Sequence, residues 1–340
     1  MNEYIKKKDI RIKLRGDKEI FLSKLHEEIL SIMDEIDRIC RKYDITYGLI
    51  AGSALGAVNY GGFIPWDDDI DIFILRSDWD KFIAALDKEL NNDFYYHCYE
   101  KDTRYNILVP QMKIRKKNTY VEEKNILLDN RCCGNGIFVD VVTYGDINNN
   151  KFIDEVFRTF IKILTIPIVF IDNLGFNPSL LKKIALFIEK KYSGLSKNSK
   201  YMSQPILIPW EKFMKEPVFL KEDILPVKEY MFEGRSYYSY NNIEKVLKKW
   251  YGNNCLKKYN EKIQTYEETL PLEKRTSKHM KDIEFSSDTP KTNVKKRLDI
   301  FVKLLCYLFL FFILSLFFNY QISLLLVVII FLASLFVKRG

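Results

Sequence analysis

The sequence predicts a mixed α/β domain that gives way to a mainly helical region and then to a membrane tail. Three observations carry this: segments of helical and strand period alternate between residues 19 and 150, strand signals fade from Phe152 onward, and no charged side chain occurs from Leu304 to Val337. A chain of 340 residues that is 47% apolar and 29% charged has room for about two folding units and a sizeable core, and it is too apolar for a disordered protein. Its net charge of +8 comes from basic residues scattered among acids rather than gathered in one arm, which speaks against nucleic acid as a partner. Six cysteines without a C-x-x-C pair, and only three histidines, speak against a structural zinc site or a disulfide framework. The globular part therefore reads as reduced and cytosol-facing.

Residues 1–18 form a flexible basic start without the apolar stretch of a secretory signal. From Glu19 to Lys42, Leu25, Ile29, Ile32, Met33, Ile36, Ile39 and Cys40 recur at spacings of three and four, which predicts an amphipathic helix; His26 within it reads as a surface histidine beside Glu27. A strand over Ile45 to Ala51 stops at Gly52-Ser53, and a short helix over Ala54 to Tyr60 follows. Gly61, Gly62 and Pro65 then break the chain ahead of a strand from Asp69 to Leu75. Ser77 is the expected N-cap of a helix from Asp78 to Leu90, and Phe94 to Tyr99, Val109 to Arg115 and Ile137 to Thr143 complete the strands of a catalytic-sized core over 19–150.

The accessory region, 151–281, opens with two apolar helices, Phe152 to Phe176 and Ser179 to Tyr192; the greasy stretch from Phe160 to Asn173 suits a core helix or one lying at a lipid interface. A polar linker over 282–297 leads to the tail, 298–337. Asn319, Tyr320 and Gln321 interrupt that tail, and lysines and arginines flank both ends, which predicts a transmembrane hairpin with both ends cytosolic, in preference to one tilted span or an in-plane anchor.

The run Gly61-Gly62-Phe63-Ile64-Pro65-Trp66-Asp67-Asp68-Asp69-Ile70-Asp71-Ile72 carries the chemistry. Side chains alternate along a strand, so Asp67, Asp69 and Asp71 share one face and Ile70 and Ile72 the other; successive acids on that face lie about 6.6 Å apart, suited to gripping one hard cation. Asp67 sits at the strand's mouth, and Asp68 falls on the opposite face as a turn residue. Gly52-Ser53 offers backbone N–H groups and a hydroxyl at a helix start, an arrangement that receives phosphate. Asp140, in Gly136-Ile137-Phe138-Val139-Asp140-Val141, is a third strand-borne acid, costly to bury unless paired or metal-bound. Together these residues form a kit for metal-assisted phosphoryl transfer.

Three segments, Gly52-Ser53-Ala54-Leu55-Gly56-Ala57-Val58, Gly62-Phe63-Ile64-Pro65-Trp66-Asp67-Asp68-Asp69-Ile70-Asp71 and Gly136-Ile137-Phe138-Val139-Asp140, resemble the LicD family, whose members are related to fukutin and share a nucleotidyltransferase-superfamily core. Trp250-Tyr251-Gly252, Leu270 to Arg275 and His279 extend the likeness, which runs from about residue 20 to 280. The resemblance implies a nucleotidyltransferase-like mixed sheet with flanking helices. It also implies an enzyme on the cytosolic side of the membrane that moves a phospho-alcohol such as phosphocholine from a CDP-alcohol donor to a hydroxyl of a surface glycan, lipopolysaccharide or teichoic acid for instance, or of its lipid-linked precursor. By the same analogy Asp69 and Asp71 hold Mg²⁺ (or Mn²⁺), Asp140 is the third acid, Gly52 and Ser53 contact phosphate, and Lys113, Arg275 and His279 are basic positions of the family. The alternatives are transfer of a nucleoside monophosphate to the acceptor, or a membrane-anchored nucleotide-binding module without turnover. The insert at 160–190 and the tail depart from the family pattern and leave the acceptor open.

Overall fold

The computed structural model describes residues 11–13, 19–64, 66–108, 110–123, 132–174, 176–204, 218–256, 280–285, 307–308, 310–311 and 320–337. The chain opens with a small antiparallel pair, β1 (Arg11–Lys13) and β2 (Glu19–Phe21), so the expected flexible start contains a strand. Then follow α1 (Leu22–Lys42), β3 (Tyr47–Leu49), α2 (Ala51–Tyr60), β4 (Asp71–Leu75), α3 (Trp79–Glu89), β5 (Phe94–Cys98), β6 (Met112–Lys116), β7 (Tyr120–Glu123) and β8 (Phe138–Ile147). The accessory region holds α4 (Lys151–Leu174), α5 (Ser179–Leu195), β9 (Tyr201–Ser203), β10 (Phe219–Leu220), α6 (Lys221–Ile224), β11 (Lys228–Phe232), β12 (Arg235–Ser239) and α7 (Ile243–Tyr251). Last come β13 (Met280–Glu284) and α8 (Tyr320–Val337).

The seven apolar residues expected on one face of α1 are all buried, which is why this helix forms and where it docks: against β6, β8 and α3. Fully burying each such side chain contributes about 1.5–3 kcal/mol. His26 occupies the same stripe, three residues before Ile29, and is buried rather than at the surface. The cap of α3 is Asp78 rather than Ser77; its side chain makes no cap bond and instead accepts from the Thr46 N–H at 3.0 Å, tying the helix start to β3.

The main sheet is built on β8, a 10-residue strand. Along one edge it pairs with β4, in parallel, and β4 pairs with β3 antiparallel. Along the other edge the first half of β8 takes β6, followed by β5, and its end takes β9, followed by β10. Short strands therefore persist after residue 151, where sequence period gave no sign of them. β9 and β10, of three and two residues, are too short to display alternation, and the five-residue β11 and β12 do not alternate apolar with polar. β13 pairs with β7, so the first residues of the expected linker belong to a ribbon.

The tail requires a correction. Among the described residues no helix is long and apolar enough to cross a membrane, so the transmembrane hairpin over 298–337 is not what the structure supports. The helix that does form there, α8, has 18 residues and so spans about 27 Å, short of a hydrocarbon core of about 30 Å. Of the other arm, 298–318, only 307–308 and 310–311 are described.

Candidate active site

The site grows from the end of β3. Ala51 adopts a left-handed φ of 47° as the chain turns into α2, and the preceding Ile50 N–H bonds the Asp71 carbonyl at 3.0 Å, pinning the start of α2 to the start of β4. Buried Ser53, in the first turn of α2, accepts the Asp71 N–H on its hydroxyl at 2.9 Å. Gly52 is a glycine because of close approach: a Cβ there would lie 2.7 Å from Asp67 Oδ2. At the other end of α2, Gly61 takes the left-handed cap (φ 66°) and turns the chain back, so that the Gly62 carbonyl passes where a Cβ on Gly56 would sit, at 2.4 Å. The acidic loop is thereby laid along α2.

Asp67 and Asp68 are both buried, and one carboxylate oxygen from each of Asp67, Asp68 and Asp69 lies within 4.8 Å of the other two. Placing Asp68 on the opposite face assumed that the strand is already running at Asp67. β4 begins only at Asp71, so the alternation does not apply to the loop before it, and the third acid of the crowded set is Asp68. His26 fixes this loop from behind. Its Nε2 bonds the Asp67 carbonyl at 2.8 Å, and its ring lies flat on Phe63, centroids 3.6 Å apart.

Asp71 and Asp140 are register partners on the parallel pair β4 and β8, and Lys113 on β6 is the register partner of Asp140 on its other side. Register partners point to the same side of a sheet, so Asp71, Asp140 and Lys113 form one row across three strands. Lys113 is buried, not solvated: its Nζ reaches Asp140 Oδ1 at 2.7 Å and Glu123 Oε2 at 3.0 Å, and lies 3.5 Å from the centre of the Phe138 ring. Glu123 also takes the fully buried Arg115 at 2.8 Å. Burial works against the Glu123 charge, yet Lys113 and Arg115 hold its carboxyl down at about 2. Burial pushes Asp140 the other way, to about 6, with the charges of Glu123 and Asp69 adding to the rise and Lys113 opposing it. Partial burial of its hydroxyl pushes the pKa of the otherwise exposed Tyr251 up, helped by the negative charge of Asp71, Asp67 and Asp69, which places this hydroxyl within reach of the acids' field.

Gly52, Ser53, Asp67, Asp69, Asp71, Asp140 and Lys113 thus belong to one neighbourhood, while Arg275 and His279 lie outside the described residues. Sequence reasoning missed Asp68, Glu123, Arg115 and the brace from His26. For His26 the signal was present, since it falls on the apolar stripe of α1. For Glu123 there was none, because only the sheet brings it to Lys113. An all-carboxylate oxygen set suits a hard divalent cation such as Mg²⁺ or Mn²⁺, and Asp67, Asp68 and Asp69, with Asp71 and Asp140 adjacent, are the residues that would hold it.

Residues 44–174 match the family described as LicD/FKTN/FKRP, nucleotidyltransferase domain. The chain carries a LicD-family domain. Its bounds take in the Gly52-Ser53 turn, the acidic loop, Lys113 and Asp140. The chain is 37% identical over 65 residues to the lipopolysaccharide cholinephosphotransferase LicD of Haemophilus influenzae, covering 19% of the present chain and 24% of that protein. It is 34% identical over 80 residues to an uncharacterized protein of Rickettsia typhi, covering 22% and 26%. The chain thus spans about a quarter of the length of the curated relatives it matches.

Proposed function

We propose that this protein is a phosphotransferase that moves a phospho-alcohol of the phosphocholine type from a CDP-activated donor to a hydroxyl of a cell-surface glycan or its lipid-linked precursor, working at the cytosolic face of the membrane. The observation that carries the reading is the register pairing of Asp71 with Asp140 beside the Asp67–Asp69 loop and the Gly52-Ser53 turn. The likeness to a lipopolysaccharide cholinephosphotransferase supports the choice of transferred group and acceptor.

In the proposed reaction the acceptor oxygen attacks the phosphorus that bears the alcohol. The bond from that phosphorus to the bridging oxygen breaks, and CMP departs with the electron pair. Asp140 accepts the proton of the attacking hydroxyl, held in place through its Oδ1 by Lys113. The backbone N–H groups at the start of α2 receive the donor's phosphate, and Asp69 and Asp71, with Asp67 and Asp68 beside them, would hold the divalent ion. When bound, the ion supplies Lewis-acid stabilisation of charge on the diphosphate.

The family's description as a nucleotidyltransferase domain favours one second reading, transfer of a nucleoside monophosphate. Incubation with CDP-choline, Mg²⁺ and a glycan acceptor separates the two, since the first reading releases CMP and the second, given a nucleoside triphosphate, releases pyrophosphate. CMP release that survives both Asp69→Ala and Asp71→Ala overturns the site assignment.

A further inference from the structure

We infer that the outer face of the α4–α5 pair docks on an anionic lipid surface. This inference is independent of the transfer reaction proposed above.

Helix α4 is apolar on two sides. Its inner side places Ile161, Thr165 and Ile168 against the body, where Ile168 joins Ile107 and Ala185 of α5 in a small core of their own. Its outer side carries Phe152, Val156, Phe160 and Ile163, all exposed, at successive spacings of four, four and three, which is one continuous stripe. The same holds for α5, where Lys182 and Ala185 face inward and Leu180, Ile184 and Phe187 face outward at spacings of four and three. Phe152 is 74% exposed, Ile163 60% and Leu180 69%, far more than scattered surface apolar residues require.

Two observations select the occupant. Lysines border the stripe: Lys151 and Lys162 on α4, and Lys183 and Lys191 on α5, the last with its Nζ 5.6 Å from the centre of the Phe187 ring. The four lysines outnumber the one exposed acid of the two helices, Glu155, so the apolar side chains match an interface of acyl chains beneath anionic headgroups, whereas two copies of this face brought together would oppose net positive charge. The second observation is continuity: the Tyr307 hydroxyl donates to the Leu174 carbonyl at 3.3 Å, so the apolar tail segment meets the C-terminal end of α4. Further along, α8 exposes Leu324, Leu325 and Ile329.

The test uses the full chain and vesicles of phosphatidylcholine with or without 25% phosphatidylglycerol, read by co-flotation. Lys183→Gln together with Lys191→Gln should lower partitioning into the anionic vesicles about 25-fold, at roughly fivefold per lysine, and change little on neutral ones. Phe160→Ser with Ile163→Ser should lower partitioning more than tenfold on both, while circular dichroism stays that of the parent. Binding equal to the parent in both variants assigns the attachment to the tail alone and overturns the inference. So does a dimer that Phe160→Ser with Ile163→Ser dissociates in the absence of lipid.

Discussion

Lys113 Nζ lies 2.7 Å from Asp140 Oδ1 and 3.0 Å from Glu123 Oε2, so a single ammonium group holds two carboxylates that arrive from different strands. Removing it leaves both acids short of a partner. Lys113→Met should cost about 3–5 kcal/mol of stability, the range for breaking a buried ion pair from one side, and a urea melt at neutral pH measures it. A loss under 1 kcal/mol would mean that Arg115 alone suffices for Glu123 and solvent for Asp140.

The two glycines of α2 should respond oppositely to alanine. At Gly56 the new methyl would meet the Gly62 carbonyl, which is backbone and cannot step aside, so Gly56→Ala should destabilise by about 1–3 kcal/mol. At Gly52 it would meet Asp67 Oδ2, the end of a side chain that can swing away. Gly52→Ala should therefore keep its melting temperature within a few degrees while weakening divalent-ion binding several-fold, as titration calorimetry with Mn²⁺ would record.

Chelation should abolish turnover, and either Mg²⁺ or Mn²⁺ should restore it, because the acids are an oxygen-only donor set. Asp71→Asn and Asp140→Asn should each lower turnover by about 10²–10³-fold with an unchanged circular dichroism spectrum. Full activity after exhaustive chelation would remove the metal from the scheme.

His97 gives the fold a pH dependence. Burial holds it down at about 4, with the charge of Arg115 adding to the effect, and its Nε2 bonds the Cys133 carbonyl at 3.0 Å. Because its folded value lies below the unfolded value of 6.5, the unfolded chain binds the proton first. The contribution of neutral His97 is complete above about pH 6.5, shrinks as the pH falls and is gone below about pH 4. At roughly 1.4 kcal/mol per pKa unit it amounts to about 3 kcal/mol. Melts of parent and His97→Gln should differ in slope across this window; parallel curves would refute it.

His26 should matter for the site more than its place in a core helix suggests. His26→Leu retains an apolar contact with Phe63 but loses the bond to the Asp67 carbonyl, and should cost about 1–3 kcal/mol while weakening Mn²⁺ binding. Unaltered metal binding would restrict His26 to packing.

The parts of the fold legible in the sequence are those with enough residues to show a period. The stripe of α1, and the existence of β4, β5, β6 and β8, could be read directly, because burial imposes spacing on each. The strands β9 and β10 could not, since three and two residues carry too little pattern, nor could β11 and β12, whose Lys-Glu-Tyr-Met-Phe and Arg-Ser-Tyr-Tyr-Ser do not alternate apolar with polar. At the site, the acids were legible as an unusual run, and the error at Asp68 came from applying strand alternation upstream of Asp71, where β4 begins. The partnership of Lys113 with Glu123 was invisible because it depends on which strands become neighbours, a choice made by the whole sheet.

The parallel pairing of β4 with β8 carries a kinetic implication. Parallel neighbours need a long excursion between them, here everything from α3 to β7, and closing so large a loop is a slow, entropically expensive event. Until it closes, Asp71 has no Asp140 opposite it. Competence for chemistry should therefore emerge only with the last cooperative step of refolding, after the helices have already formed.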